Sequence, residues 1–338
     1  MNLRAWVFLA AAVACLLGVA AYVRHAAVRS EAATHGRDEP RFEWIDGVPA
    51  DRPGVFFSSP APDRSFKKVA FVPLDNLNGP RYLTAISCDR MYFQGGKGLC
   101  VSVEEKGLSA KQVAYLFDRK FVLQHRTELT GPPSRIRISA DGELGAITVF
   151  ESGHSYAEAG FSTRTTLIDM TSGRTLGNLE EFRVEREGVE FKAVDFNFWG
   201  VTFIPGARRF YATVATRGKH YLIEGDVDNR SAHVIRDGVE CPSLSPDGTQ
   251  LAFKKRMTTS GFRVGWQVAV MNLTTSRETV LDAESRSVDD QVEWLDNDHV
   301  LYFYPSEAGN NVWALNISNR EQPRIFLKDV YSPAVVRQ

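Results

Sequence analysis

Hydrophobic and polar residues alternate in short runs through most of the chain, which is the pattern of half-buried β-strands. The clearest example is Cys241–Phe253, with the sequence CPSLSPDGTQLAF. Its Pro-Asp-Gly sequence favours a tight turn, because proline presets the first central residue and glycine tolerates a positive φ. Beyond the turn, Leu251 and Phe253 alternate with polar neighbours. The stretch therefore predicts a strand, a tight turn and a second strand.

Weaker copies of this unit recur along the chain, and each copy predicts four strands. The complete units begin at strands predicted over Ser87–Phe93, Arg135–Ser139, Phe198–Ile204, Pro242–Ser245 and Gln291–Leu295. Both ends of the chain hold incomplete units. Three strands without a first strand are predicted over Val55–Ser58, Lys67–Pro73 and Arg81–Thr84, and a first strand without a successor over Tyr331–Val336.

Joined, the incomplete ends form one further unit, and this is how a propeller closes its ring and protects its sheet edges. Repeats of about 40–50 residues with four strands are typical of propeller blades. The sequence therefore predicts an all-β fold, a six-bladed β-propeller of four-stranded blades over residues 54–338, closed by its N- and C-terminal strands. A β-sandwich with an additional domain is the alternative.

The N-terminal segment is different in character. Ala5–Val23 carries no charge and follows Arg4. As a helix it would be about 28 Å long, close to the thickness of a bilayer core. We expect residues 1–23 to be a signal-anchor or transmembrane segment and residues 24–53 a polar tether. A signal peptide cleaved after Ala20 and a lipoprotein at Cys15 are the alternatives.

Charge and cysteine content limit the cellular compartment and the classes of function that fit the chain. Lys and Arg total 40 and Asp and Glu total 41, so the chain lacks the basic excess of a nucleic-acid-binding protein. No Cys/His spacing typical of a metal site is present. Cys88 and Cys100 flank a predicted hairpin and are either a disulfide or two buried thiols, while Cys241 is expected to be a free core thiol.

The turn unit also carries a family resemblance. Ser245–Gly248 followed by Leu251–Phe253 resembles the repeat of TolB-type β-propellers, as do Ser139–Gly142 and Glu293–Asp296. Further stretches are similar to exported TolB-like translocation-type proteins, namely Gly153–Tyr156, Gly160–Thr165, Glu240–Phe253 and Arg286–Trp294.

The resemblance covers about Pro53–Arg337 and implies one six-bladed propeller behind one N-terminal hydrophobic segment. It further implies a protein-binding platform associated with the cell envelope. The chain departs from the periplasmic TolB pattern because residues 1–53 do not predict a separate α/β domain before the propeller.

Four long loops are predicted on one face of the propeller, and long loops on a rigid scaffold commonly carry binding sites. These loops are Glu151–Thr163, Glu181–Asp195, Met257–Val264 and Asp282–Asp290. The residues that we expect to contact a partner are His154, Ser155, Tyr156, Glu158, Phe161, Asp195, Arg286, Asp289 and Asp290.

Two further readings concern acids and tryptophans near these loops. Asp195, Glu240, Asp289 and Asp290 could converge on a Ca²⁺ ion, as in metal-dependent lactonases on six-bladed propellers, or could instead cap loops and pair with arginine and lysine. The tryptophans at 199, 266, 294 and 313 either pack between blades or form a sugar-binding platform.

The functional hypothesis is therefore a non-enzymatic, membrane-anchored propeller outside the cytoplasm that binds a protein or peptide. It requires no cofactor and no nucleic acid. A Ca²⁺-dependent lactonase-type hydrolase and a carbohydrate-binding envelope protein are the alternatives.

Overall fold

The computed structural model divides the chain into two units, Met1–Glu43 and Trp44–Gln338. It describes residues 4, 6, 15–24, 42–49, 52–106, 109–153, 155–157, 160–258, 264–306 and 309–337. In the first unit, residues 15–24 are helical. Within the described ranges, no helix has both the length and the apolar character needed to cross a bilayer. Residues 5 and 7–14 of the uncharged run Ala5–Val23 lie outside those ranges, so the membrane anchor stays a prediction.

The second unit consists of six β-sheets, which are the blades of a propeller. Blade 1 contains β1 (Trp44–Asp46), β2 (Gly54–Ser58), β3 (Lys68–Pro73) and β4 (Arg81–Ser87). Blade 2 contains β5 (Arg90–Gln94), β6 (Lys97–Lys106), β7 (Ser109–Asp118) and β8 (Leu123–Glu128). Blade 3 contains β9 (Pro133–Ile138), β10 (Leu144–Ser152), β11 (Ser162–Asp169) and β12 (Thr175–Asn178).

The second half of the propeller continues in the same way after a short 3-10 helix at Leu179–Glu181. Blade 4 contains β13 (Arg183–Arg186), β14 (Val189–Glu190), β15 (Asn197–Phe203), β16 (Arg209–Thr216), β17 (Lys219–Asp226) and β18 (Ser231–Asp237). Blade 5 contains β19 (Glu240–Leu244), β20 (Gln250–Thr258), β21 (Val264–Asn272) and β22 (Glu278–Val280). Blade 6 contains β23 (Glu293–Trp294), β24 (His299–Ser306), β25 (Gly309–Asn316) and β26 (Arg324–Leu327), and the last strand is β27 (Tyr331–Val336).

The last strand closes the ring. β27 returns to blade 1 and pairs antiparallel with β2, with Gly54 opposite Val336 and Phe56 opposite Ala334. Val335 on β27 is fully buried, because it packs into the apolar cluster between blades 1 and 6. The prediction of an all-β, six-bladed propeller with four-stranded blades and a blade shared by the two termini is thus confirmed.

Two blades carry additional strands at their outer edges. β1 pairs in parallel with β4, and β13 pairs in parallel with β18 and antiparallel with β14. From the sequence, β1 was part of the expected tether and β13–β14 part of an expected loop. These strands hold two to four residues, so their alternation is too short to stand out; in β13 only Val184 is buried.

The core lies between neighbouring blades and is rich in aromatic residues. Phe56 of blade 1 contacts Phe93 of blade 2 with ring centroids 4.6 Å apart. Trp199, Trp266 and Trp294 are no more than 3% exposed, which agrees with packing rather than a sugar-binding platform. Burying side chains of this size stabilises the fold by about 1.5–3 kcal/mol each.

A disulfide joins Cys88 to Cys100 at the junction of blades 1 and 2. Their Cα atoms are 5.4 Å apart. Cys88 lies before the first residue of β5, whereas Cys100 pairs with Met91, so the bond runs diagonally across the hairpin. Cys241 is a buried free thiol.

The Pro-Asp-Gly turn gives a direct test of the blade geometry. Gly248 has a φ of +71°, so Gly248→Val is expected to lower the free energy of unfolding by about 1–3 kcal/mol through backbone strain. Gly248→Asn is the matched control, because asparagine tolerates this region and a Cβ here meets no atom within 4 Å. Urea unfolding of both variants measures the difference, and equal losses would contradict the strain argument.

Candidate functional site

The innermost strands of the blades enclose a channel, and on β9 charged residues alternate with apolar ones. On β9, Arg135 and Arg137 alternate with Ile136 and Ile138, which belong to the core between blades. Both arginines are less than a tenth exposed. We call the end of the channel near the inter-blade connections the loop face, and the end near the Pro-Asp-Gly turn the turn face.

An ionic network lies inside the channel. The guanidinium of Arg137 forms an ion pair with Glu293 and lies 4.7 Å from the centre of the Tyr92 ring. The hydroxyl of Tyr92 donates a 3.0 Å hydrogen bond to the same carboxylate. These residues come from blades 2, 3 and 6, and burial raises the pKa of Tyr92. The protein interior screens charge weakly, so the ion pair between Arg137 and Glu293 helps to hold these inner strands together. Loss of either partner would leave an unpaired buried charge, which is destabilising.

A second ionic cluster lies nearer the loop face. Oδ1 of Asp289 accepts a 2.6 Å hydrogen bond from Lys254 Nζ and a 3.1 Å hydrogen bond from Arg135 Nη2. Lys254 is fully buried, and its ammonium lies 4.3 Å from the centre of the Trp266 ring. Aromatic faces attract cations, which partly offsets the cost of removing this ammonium from water.

The charge of Asp289 is stabilised by this cluster. Burial alone raises the pKa of its carboxyl group, but the neighbouring charges of Lys254 and Arg135 outweigh that effect and the pKa lies below its usual value. The carboxylate is 39% exposed at the channel mouth. Asp289 therefore remains ionised at neutral pH and neutralises one of its two cationic partners.

Arg90 is the third cation at this mouth. In the part of the chain that the structure describes, no hydrogen bond or ion pair holds its guanidinium. Burial and the nearby charge of Arg135 lower its pKa, while the carboxylates of Asp290 and Asp289 act in the opposite direction. Arg90 and Arg135 both line an open cavity of about 220 Å³ at the loop face.

The loop after β10 borders the same cavity, but its aromatic residues are structural. Tyr156 is 2% exposed and packs 4.9 Å from Trp199, ring centre to ring centre. Its hydroxyl forms a 2.6 Å hydrogen bond with Ser134. Phe161 packs edge-on against both rings. Tyr156 was expected to contact a partner from an exposed loop; its burial means that substitution there also costs packing energy.

The remaining predicted contact residues occupy different places. Ser155 lines the cavity, and its hydroxyl accepts a hydrogen bond from the amide of Ala157. His154 and Glu158 lie outside the described residues. Arg286 is held away from the cluster, because it pairs with Glu284 and stacks 3.9 Å from the centre of the Trp313 ring.

The acids considered as Ca²⁺ ligands each have another partner. Asp195 accepts hydrogen bonds from Thr216 and from the amide of Arg217. Asp290 accepts from the amides of Gln291 and Phe303, and Glu240 accepts from Arg256 and Trp266. No group of three or more His, Cys, Asp or Glu side chains suited to a metal occurs in the described part of the chain.

The sequence analysis missed Arg90, Arg135 and Lys254. The first two lie on innermost strands, and Lys254 lies on the second strand of blade 5. The available signal was the alternation of arginine with apolar residues on β9 and the arginine at the start of β5. None of these three residues lies in a long loop, where the binding residues were expected.

The pKa of Asp289 predicts a pH effect on stability. Because the folded pKa is lowered, the stabilisation by this carboxylate is complete above the unfolded value of about 3.9 and is lost as the pH falls through the folded value. Asp289→Asn is expected to be less stable than the wild type at pH 7, with the difference shrinking below about pH 4. Denaturant unfolding across this range measures it.

Asp282→Asn is the control for this effect, because Asp282 is exposed in the same inter-blade segment. A stability difference for Asp289→Asn that stays constant across the pH range would contradict the ion-pair assignment.

Several solved structures have a fold similar to that of this chain. Acinetobacter baumannii TolB matches with a TM-score of 0.57 and 16% identity, over 86% of this chain and 68% of that one. Kuenenia stuttgartiensis hydrazine synthase matches with a TM-score of 0.55 and 11% identity, over 84% and 46%. A puromycin-hydrolyzing peptidase from Mycobacterium tuberculosis matches with a TM-score of 0.51 and 12% identity, over 84% and 45%.

The chain spans less than half the length of the last two proteins. No protein-family model and no curated protein matches its sequence. At such identities the likeness extends to the fold and not to the chemistry. The resemblance of the turn units to TolB-type repeats is thus confirmed in the architecture, and the chain has the six-bladed fold of a TolB-like β-propeller.

Proposed function

We propose that this protein is a non-enzymatic platform that binds a protein or peptide partner at the loop face of its propeller. The observation that carries the proposal is the open channel mouth, where Arg90, Arg135 and Lys254 of three blades meet Asp289 of the connection between blades 5 and 6. Polar groups that converge in a concave site on a rigid scaffold are typical of recognition sites. The TolB-like fold is compatible with such a role.

The turn face offers a weaker case for binding. Its turns satisfy their own polar groups: Oδ1 of Asp247 accepts hydrogen bonds from the hydroxyl of Ser245 and from the amide of Thr249. A cavity of about 230 Å³ opens there, but the Arg137–Glu293 pair that lines it is already matched. A partner would gain little from this matched pair, and Arg337, which also lines the cavity, donates to the backbone carbonyl of Trp294.

Among the described residues, the groups that the two alternatives would use are already bonded or buried. A lactonase-type site requires carboxylates free to bind Ca²⁺, whereas the acids near this mouth are bonded to cations, a tryptophan or backbone amides. A sugar platform requires an exposed aromatic face, whereas Trp199 and Trp266 are buried. Binding of a partner through charged groups would use the arginine, lysine and aspartate side chains of the channel mouth.

We place this platform outside the cytoplasm, held by the N-terminal segment in a membrane of the cell envelope. The uncharged run Ala5–Val23 is long enough to span a bilayer as a helix. The Cys88–Cys100 disulfide supports the same location, because such bonds persist in oxidising compartments. The polar segment that follows would let the propeller stand clear of the lipid.

Site-specific photocrosslinking tests this function. A photoreactive residue is placed at Ala157, exposed beside the loop-face cavity, in the full chain expressed in its own cells. We expect a crosslinked adduct of defined mass, because the partner contacts this face. We expect the adduct in the membrane fraction, because the N-terminal segment anchors the chain.

The matched control carries the photoreactive residue at Thr274, which is exposed in a turn at the opposite face. We expect no adduct from that position. Equal adducts from both positions, or none from Ala157, would contradict loop-face binding, and recovery in the soluble fraction would contradict the membrane anchor.

A further inference from the structure

Arg90 lines two adjoining cavities of the channel. One is the loop-face cavity of about 220 Å³, and the other, deeper and of about 40 Å³, shares Arg135 with it. A guanidinium carries five donors in a rigid fork, and Arg90 is half-buried, so these donors are open to a group that enters the cavity. In the described residues, the protein itself supplies neither a hydrogen bond nor an ion pair to this guanidinium.

The charges at the mouth leave one positive charge unbalanced. Arg90, Arg135 and Lys254 carry three positive charges, against the two carboxylates of Asp289 and Asp290. Asp289 is engaged by Arg135 and Lys254, and Asp290 by two backbone amides. One singly charged anion would therefore neutralise the mouth, whereas a doubly charged one would leave an excess of negative charge beside both carboxylates.

The depth of the channel limits what can carry that anion. Below Arg90 the space narrows, and Tyr92 and Arg137 line both the narrow cavity and the turn-face cavity beyond it. A group that enters from the loop face thus reaches the Arg137–Glu293 network directly after Arg90. The anion has to lie at the end of the entering group, as in a chain terminus or an acidic side chain.

We infer that the loop-face mouth binds one carboxylate group, with the guanidinium of Arg90 as its principal partner. A carboxylate carries a single charge, and its two oxygens match the guanidinium fork. Arg135 and Lys254 add to the attraction but remain bonded to Asp289. The inference rests on the proposed function for its biological setting, while its chemistry can be tested separately.

Titration of the purified full chain with small peptides tests the carboxylate requirement. The probes are acetyl-tetraalanine with a free C-terminus, the same peptide with a C-terminal amide, an amidated peptide with one internal glutamate, and acetate. We expect calorimetry or NMR to show binding of carboxylate probes and none of the amidated tetraalanine. The terminal and glutamate probes distinguish a chain terminus from a side chain, and acetate tests a free small acid.

Substitutions at Arg90 test the assigned partner. Arg90→Gln is expected to weaken carboxylate binding by about tenfold or more, because a charge-assisted pair is lost. Arg90→Lys keeps the charge but not the fork, so an intermediate affinity is expected. Arg119→Gln is the matched control: it makes the same change at an exposed position of blade 2 on the turn face and leaves binding unchanged.

Several outcomes would overturn the inference. They are equal binding of the acid and the amide, no binding of any carboxylate probe at millimolar concentration, or unchanged affinity in a folded Arg90→Gln protein. If that variant does not fold, the acid–amide comparison on the wild type decides. An adduct at Ala157 without carboxylate binding would refute this inference alone, and carboxylate binding without an adduct would refute the partner proposal alone.

Discussion

The pairing of β27 with β2 is the constraint on which the rest of the structure depends. It joins the two ends of the propeller and supplies blade 1 with its innermost strand. Ser332 on β27 also exchanges hydrogen bonds with the backbone of Met91 on β5, and the amide of Val335 donates to Glu293. Closure therefore fixes the position of both neighbouring blades, and with them the walls of the channel.

The charged mouth is a consequence of that closure. Arg90, Arg135 and Lys254 come from three blades and Asp289 from the connection between blades 5 and 6, and the four residues meet only in a closed ring. Buried ion pairs seldom stabilise a fold more than apolar residues of the same size. A chain that keeps Lys254 fully buried thus gives up stability here, and the apolar packing between blades offsets the loss. Such local departures from a consistent apolar core are typical of functional sites.

The sequence was most informative where the repeat was strongest. The turn at Pro246–Gly248 indicated the length of the blade repeat, and the incomplete units at the two ends indicated the shared blade. Both features depend on residue types at neighbouring positions, which the sequence shows directly. The outer strands and the charged mouth were hidden for physical reasons. A strand of two to four residues is too short for its alternation to be detected. The residues that surround Arg90 depend on how blades distant in sequence are arranged around the axis. Tyr156 read as a loop residue because its burial arises from Trp199, in the next blade.

The most direct measurement on the central claim is the thermal unfolding of two truncated proteins. One ends at Val336 and keeps β27, and the other ends at Val330 and lacks it. We expect the first to unfold cooperatively near the wild-type Tm. We expect the second to lose cooperative unfolding or to aggregate, because β2 becomes an exposed edge and the channel loses one wall. A protein ending at Val330 that melts at the wild-type Tm would contradict closure as the constraint that builds the site.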